Sequence, residues 1–440
     1  MKRLALVLFI AGALTASFSH GTAIAGEADI LINKLVEKGI LSRSEANQLL
    51  IDMQKESVRQ KEMIKEVATE VAKEGGKGKT IDLPKWVNNT KFKGDIRLRY
   101  QGQERDNSGK PHRSRGRFRL RAGIESKLSD QWKAGFGIAS GGDDPRSTNE
   151  TMDDTFESPD LRIDYAFAQY KPFKSLSVMG GKFKNPVWNT KDLLWDGDIR
   201  PEGLAAQFKY KVLPDLELFV TPAFYILEEF SSNTGDPNMW LVQPGINWTF
   251  SDHVYLKLAG TVYGLDNVKG NDFTSGGAGG AGTNSQASDG TYLYDYDALA
   301  GDIEIGFTKI PGPIPFVALF GQYVRSGADD VQDMDGYDDN VGWLAGIKFG
   351  SKKVKGFGRW QFKYNYRELE RDAWPDFFPD SDFYDGETNA KGHEAEFKFG
   401  LAKFATIGLD YYKTEPIRYD SPGDPKQEED VLQVDLVLKW

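Results

Sequence analysis

Arginine occupies every second position in one short segment of this 440-residue chain. The run consists of Arg113, Arg115, Arg117, Arg119 and Arg121. Alternate side chains of an extended strand lie on one face, spaced by about 6.6–6.8 Å. Neighbouring cations repel each other unless carboxylates, water or an anion lies between them. The segment is therefore predicted to form a basic surface that acts on charged solutes.

Five further basic residues are predicted to share this face from neighbouring strands: Arg97, Arg99, Arg162, Lys182 and Lys184. One interpretation is that the basic ladder forms one wall of a channel constriction, opposed by acidic groups on an inward-folded loop. Residues 185–201 are the candidate loop. Its candidate acidic groups are Asp192, Asp196 and Asp198.

A second interpretation of the ladder is structural. The arginines would form salt bridges to the wall carboxylates Asp95, Glu125 and Asp164 and would only stiffen the barrel. The ion preference stays open as well, because the basic wall favours anions whereas the acidic long loops favour cations at the mouth.

The long loops at 141–159, 327–339 and 371–388 are rich in aspartate. Such clusters could bind Ca²⁺ or Mg²⁺ and bridge to lipopolysaccharide, although none has the EF-hand spacing and a hydrated acidic surface is the simpler interpretation. The loop at 271–290 is rich in Gly, Ser and Ala and is expected to be mobile. We expect no other cofactor.

Several classes of function are excluded by composition. The chain has no cysteine, and therefore no disulfide or thiolate site. It contains no G-x-S-x-G, H-E-x-x-H or phosphate-loop motif, so we do not expect an enzyme. Loss of Lys2 and Arg3 with a signal peptide would take the net charge from −10 to about −12, which argues against a nucleic-acid partner.

The elements that must position these residues are strands. From about residue 88 to the C-terminus, apolar side chains alternate with charged ones in about sixteen segments, joined alternately by short turns and long loops. This pattern is typical of an all-β transmembrane barrel of antiparallel strands, with its apolar face towards lipid and its charged face towards the lumen. We assign residues 88–440 to this barrel, and sixteen strands are enough for an aqueous channel.

The first 80 residues follow a different pattern. Residues 1–25 have the charged start, apolar stretch and small-residue cleavage site of a signal peptide. Residues 26–80 have helical periodicity, with a capping box at 42–45 and a glycine-rich end, and we assign them to a short periplasmic α-helical segment and linker. A coiled coil and a solvated spacer both remain open for this segment.

The closing strand carries the most specific motif. Its apolar face ends in Leu436, Leu438 and Trp440, and this ending resembles the signal by which the barrel assembly machinery of the outer membrane recognises its substrates. Barrels of that kind usually end in Phe, so Trp440 is a mild departure.

Several segments together resemble the bacterial "putative porin" family over nearly the whole mature chain. They are the helical lead-in near 35–50, the arginine-rich strand at 113–127, and the motifs at 143–149, 181–186, 192–196 and 201–203. The resemblance implies a channel in the outer membrane of a Gram-negative-type bacterium, in contact with lipid and lipopolysaccharide. General porins, which the strand number also resembles, are usually homotrimers.

The sequence thus predicts a passive diffusion channel for small hydrophilic solutes or ions. The alternative is an adhesin or envelope-tethering protein that uses the barrel as a platform. Charged residues at alternate positions along the strands favour the channel. The helical segment is the reason that the tethering function remains an alternative.

Overall fold

A computed structural model describes residues 85–107, 109, 111–156, 158–231, 235–273, 281–328, 339–419 and 427–440, together with 42–44, 48 and 51. Residues Met1–Leu83 and Pro84–Trp440 form two compact units. In the first unit, Ser42 precedes the helical residues Arg43 and Ser44, and residues 48 and 51 are helical too. The signal peptide and most of the predicted helical segment lie outside the described residues and stay predictions. No described helix has the length and apolar character needed to cross a membrane.

The second unit begins with a short helix, α1 (Lys85–Asn88), and continues as one sheet of seventeen strands. The strands are β1 (Thr90–Arg105), β2 (Arg113–Lys127), β3 (Trp132–Ser140), β4 (Glu150–Thr151), β5 (Leu161–Phe173), β6 (Leu176–Lys182), β7 (Glu202–Leu213), β8 (Leu216–Ile226), β9 (Asn238–Thr249), β10 (Val254–Asp266), β11 (Ala298–Thr308), β12 (Phe316–Ser326), β13 (Val341–Gly350), β14 (Trp360–Leu369), β15 (Ala390–Gly400), β16 (Ala405–Pro416) and β17 (Glu429–Lys439). A 3₁₀ turn, Tyr384–Gly386, lies between β14 and β15.

The sheet is a closed barrel, because β1 pairs antiparallel with β2 on one side and with β17 on the other. Sixteen long strands form the wall, and the two-residue β4 is an addition within the β3–β5 loop that pairs with β2. Short turns and long loops alternate around the barrel. The predicted fold class and strand number are confirmed.

Alternation along β1 shows how the two faces are assigned. Leu98 and Tyr100, on the outer face, are 48% and 49% exposed. Arg99 and Gln101, on the inner face, are 5% and 4% exposed. A bilayer would cover the exposed apolar side chains, and the polar ones line the interior. The backbone groups of neighbouring strands pair with each other all round the barrel, as a membrane requires.

Three long loops fold into the barrel: the β6–β7 loop (183–201), the described part of the β10–β11 loop (267–273 and 281–297) and the β14–β15 loop (370–389). Their apolar side chains form one buried cluster with the inner faces of β7 to β14. Trp195 and Phe378 join two of these loops, with ring centroids 4.5 Å apart. Tyr263 of the wall meets Trp374 at 4.7 Å. The core therefore lies inside the barrel and fills the half bounded by these strands.

Candidate functional site

The pairing of β1 with β2 places the arginines of both strands on the inner face. Arg97 lies opposite Arg119, and Arg99 lies opposite Arg117. Along the same face, Gln101 pairs with Arg115 and Asp95 pairs with Arg121. Arg113, at the loop end of β2, is exposed. The register thus gathers most of the predicted ladder into one patch on the lumen wall.

Carboxylates neutralise several arginines of this patch. Asp95 accepts hydrogen bonds from Arg119 at 2.6 Å and from Arg121 at 2.8 Å. Asp435 of β17 accepts from Arg99 at 2.7 Å, and Asp382 of the β14–β15 loop accepts from Arg99 at 2.9 Å. Salt bridges within the wall and contacts with inward loops therefore coexist at the same arginines.

The other two wall carboxylates considered above are used differently. Glu125 binds Lys93 and Lys133, each at 2.7 Å. Asp164 binds Arg200 of the β6–β7 loop at 3.3 Å. Among the described residues neither forms a salt bridge to the ladder, so the proposed stiffening network holds only for Asp95.

The β6–β7 loop is anchored to the wall opposite the arginines. The backbone N–H of Trp188 donates to Gln243 of β9 at 2.8 Å, and the N–H of Thr190 donates to Asp302 of β11 at 2.8 Å. The Trp374 indole donates to the Leu194 carbonyl oxygen at 2.8 Å. These bonds hold the loop inside the lumen, as its sequence pattern predicts.

The three predicted acids of this loop have different partners. Asp198 accepts from Arg121 at 3.0 Å and from the Thr148 hydroxyl at 2.7 Å, so it faces the ladder. Asp192 binds Lys191 and, at 3.1 Å, Arg367 of β14, away from β1 and β2. The loop therefore brings one of these carboxylates directly to the arginines by an ion pair.

Asp196 differs from both neighbours because no ion pair to it is found among the described residues. It accepts backbone hydrogen bonds from Asp198 at 2.7 Å and from Ser381 at 2.9 Å. Burial, reinforced by the charge of Asp198, raises the pKa of Asp196 to about 8. Burial also acts on Asp198, but Arg121 and Arg119 outweigh it and hold the pKa of Asp198 below its usual value. The two carboxyls therefore differ in charge at neutral pH.

The β14–β15 loop corrects the expectation that the acids of 371–388 lie at the mouth. Asp372 and Asp376 are 2% and 0% exposed, and Asp376 accepts from Thr283, Asn284 and Tyr292 of the β10–β11 loop. These bonds also fix residues 283 and 284, within the segment that composition predicts to be mobile. Apolar residues between the aspartates are the sequence signal that could have shown the inward fold: Trp374, Phe377 and Phe378.

A cluster of charged side chains joins both inward loops to the wall. Asp192, Asp380 and Glu394 each place a carboxylate oxygen within 4.8 Å of the others. Arg367 contacts all three, and Lys191 contacts Asp192 and Glu394. Two side-chain cations already occupy the space between the oxygens, so the donor set does not favour a divalent ion.

Three predicted ladder residues lie elsewhere. Arg162 donates to the carbonyl oxygens of Gly142 and Asp144, each at 2.6 Å, and so holds the β3–β5 loop. Lys182 binds Glu202 at 2.6 Å on the outer face, because the buried Phe183 takes the inward position beside it.

Lys184 lines a separate lumen cavity of about 250 Å³ rather than the arginine patch. Asp164 and Arg200 line the same cavity, together with the ring of Phe183. The prediction assumed that alternate residues keep the same face throughout. That assumption fails beyond the end of a strand and at a β-bulge, so it gave these three cations the wrong neighbours.

A cavity of about 470 Å³ runs along the other half of the lumen. Arg97, Arg99 and Arg119 line one side of it. Carboxylates from the two inward loops and from β15 to β17 also line it: Asp192, Asp196, Asp198, Asp380, Asp382, Glu394, Glu396, Asp410 and Asp435. Arginines of β1 and β2 therefore share this cavity with many carboxylates, and Lys191, Lys398 and Lys439 line it as well.

A closed antiparallel barrel with a lipid-compatible exterior and a charged interior defines the class of outer-membrane β-barrels. The family described as "Putative porin" matches residues 51–112, 107–293 and 319–440. The chain belongs to this family and is an outer-membrane porin channel. The comparison with curated proteins gave no match.

Solved porin structures are similar at low identity. OprB of Pseudomonas putida, in a high-pH structure, is 12% identical over 80% of this chain and 95% of that one, with a TM-score of 0.49. The outer-membrane channel DcaP of Acinetobacter baumannii is 15% identical over 80% and 97%, with a TM-score of 0.46. OmpF of Salmonella typhi, in complex with daunomycin, is 10% identical over 80% and 97%, with a TM-score of 0.47.

Proposed function

We propose that this porin is a passive diffusion channel for small hydrophilic solutes and ions, with a charged constriction between the β1–β2 arginines and the acids of the inward loops. The observation that carries the proposal is the 470 Å³ cavity, which is lined by arginines of β1 and β2 and by carboxylates of both inward loops. Opposite charges across a narrow aqueous path create a transverse field, which orders water and disfavours apolar solutes.

The distribution of charge supports a channel over a platform for adhesion or tethering. The in-phase charges of β1, β2 and β17 point into the lumen, where Arg99 contacts both Asp435 and Asp382. A platform needs no such arrangement inside its barrel. The helical segment that would serve as a tether lies almost entirely outside the described residues.

The test is electrical. The purified protein would be reconstituted in planar bilayers, and single-channel conductance and the reversal potential would be measured in a KCl gradient. Ohmic steps are expected, in multiples of three for the homotrimer that we also propose. Persistent silence from folded protein, checked by its heat-modifiable mobility on gels, would contradict a diffusion channel and support the platform.

A further inference from the structure

The arginine patch is unevenly neutralised. Eight arginines lie on β1 and β2 between residues 97 and 121. Among the described residues, four of them form ion pairs of 3.1 Å or shorter: Arg99, Arg105, Arg119 and Arg121. The carboxylates of these pairs are Asp95, Asp198, Asp382, Asp385, Glu387, Glu429 and Asp435. The excess positive charge therefore lies on the other four arginines, of which Arg113 is exposed.

The other three under-neutralised arginines, Arg97, Arg115 and Arg117, are half-buried. Arg115 and Arg117 have no ion pair among the described residues. The nearest carboxylate to Arg97 is Asp435, at 3.7 Å, and Asp435 already binds Arg99 through both of its oxygens. The Nε atoms of all three arginines are buried without a hydrogen-bond partner.

Neutral groups surround these guanidinium groups. Arg97 donates to the Asn149 side chain, and Arg117 donates to Gln101 at 3.1 Å and to the Ser147 hydroxyl at 3.4 Å. These partners satisfy some N–H groups but supply no negative charge. Several desolvated cations without a counter-charge are costly, so a solute that supplies one is stabilised there.

We propose that Arg97, Arg115 and Arg117, with Ser147 and Asn149 of the β3–β5 loop, bind an oxyanion in transit, the carboxylate or phosphate group of a small solute. The paired N–H donors of a guanidinium group fit two oxygens of such a group better than they fit a spherical halide ion. Arg115 and Arg117 are two residues apart on one face, about 6.6–6.8 Å, so one oxyanion can contact both. This inference rests on the proposed channel function and adds the chemical class of solute that the channel binds during passage.

The experiment measures block of the chloride current through reconstituted channels. Inorganic phosphate probes the phosphate class, and oxalate probes the carboxylate class. The double variant Arg115→Gln/Arg117→Gln is expected to raise the half-blocking concentration about tenfold, because charge-assisted hydrogen bonds are lost. A larger shift for phosphate or for oxalate would identify which oxyanion the subsite prefers, and either supports it.

Lys348→Gln is the matched control, since it removes one lumen cation that is already paired with Glu304 at 2.6 Å. Its half-blocking concentration should equal that of the unmodified protein. Heat-modifiable mobility verifies folding of each variant. Ohmic channels that neither probe blocks, or equal block in the double variant, would overturn the subsite and leave the channel intact. Absence of any channel would instead count against the proposed function.

Discussion

Arg121 and Asp198 lie 3.0 Å apart and join the barrel wall to the inward β6–β7 loop. Both side chains are largely shielded from solvent, and Arg121 also binds Asp95 at 2.8 Å. The loop is thus tied to β2 at one end of its path and to the opposite wall at the other. Its position across the lumen depends on both attachments.

Replacing Asp198 by Asn should make the channel more selective for anions. The variant removes one negative charge from the cavity lining, while Asp95 still neutralises Arg121. The reversal potential in a KCl gradient should shift towards the chloride equilibrium potential. Glu202→Gln is the control, since it removes a carboxylate from the outer face and should leave the potential unchanged. Equal shifts in both variants would show that Asp198 does not contribute to the constriction.

Raising the pH should add charge at a second position of the same loop. The pKa of Asp196 is raised to about 8, chiefly by burial, so its carboxyl is neutral at pH 7 and ionises as the pH passes through 8. The added negative charge should move selectivity towards cations between pH 7 and pH 9. Asp196→Asn keeps the neutral form, so this part of the change should be absent in it. An identical pH response in both proteins would contradict the assignment.

Adding a side chain at Gly94 should impair closure of the barrel. A β carbon there would lie 2.4 Å from the Trp440 indole and 2.5 Å from the Arg121 carbonyl oxygen. Gly94→Ala is therefore expected to displace the C-terminal residue and to lower the heat-modifiable fraction in the outer membrane. At Gly102, on the same face of β1, the nearest atom would be 3.6 Å away, so Gly102→Ala should assemble normally.

Truncating Arg367 should destabilise the inward loops. This side chain is 2% exposed and contacts Asp192, Asp380 and Glu394. Arg367→Met leaves Lys191 to neutralise three carboxylates, and breaking such a buried set costs about 3–5 kcal/mol. The temperature of the gel-mobility change should fall, whereas Arg359→Met, at an exposed turn, should leave it unchanged.

Much of the fold follows from the sequence because strand periodicity is local. Leu98 and Arg99 lie on opposite faces because they are neighbours in an extended strand. The alternation of short turns with long loops shows at which end of the barrel each connection lies. The acids Asp192, Asp196 and Asp198 made residues 185–201 a candidate for an inward loop. These inferences need no knowledge of distant contacts.

The remaining parts of the site depend on distant contacts. Asp382 reaches Arg99 across 283 positions, and no local pattern shows which arginine it binds. The prediction for Lys182 is wrong for a related reason. The buried Phe183 takes the inward position, and only the packed structure shows that preference. Which loops fill the barrel is decided by aromatic packing among them.

The arrangement at the first and last strands also links biogenesis to transport. Arg99 and Asp435 stand on β1 and β17, more than 300 positions apart, and meet only when these two strands pair. In an assembly intermediate in which β1 and β17 are not yet paired, Arg99 would lack Asp435, whereas Arg119 and Arg121 would keep Asp95. The electrostatic profile along the channel is therefore completed only when β1 pairs with β17, the last step of barrel closure. A barrel that fails to close would conduct ions without the selectivity of the native channel.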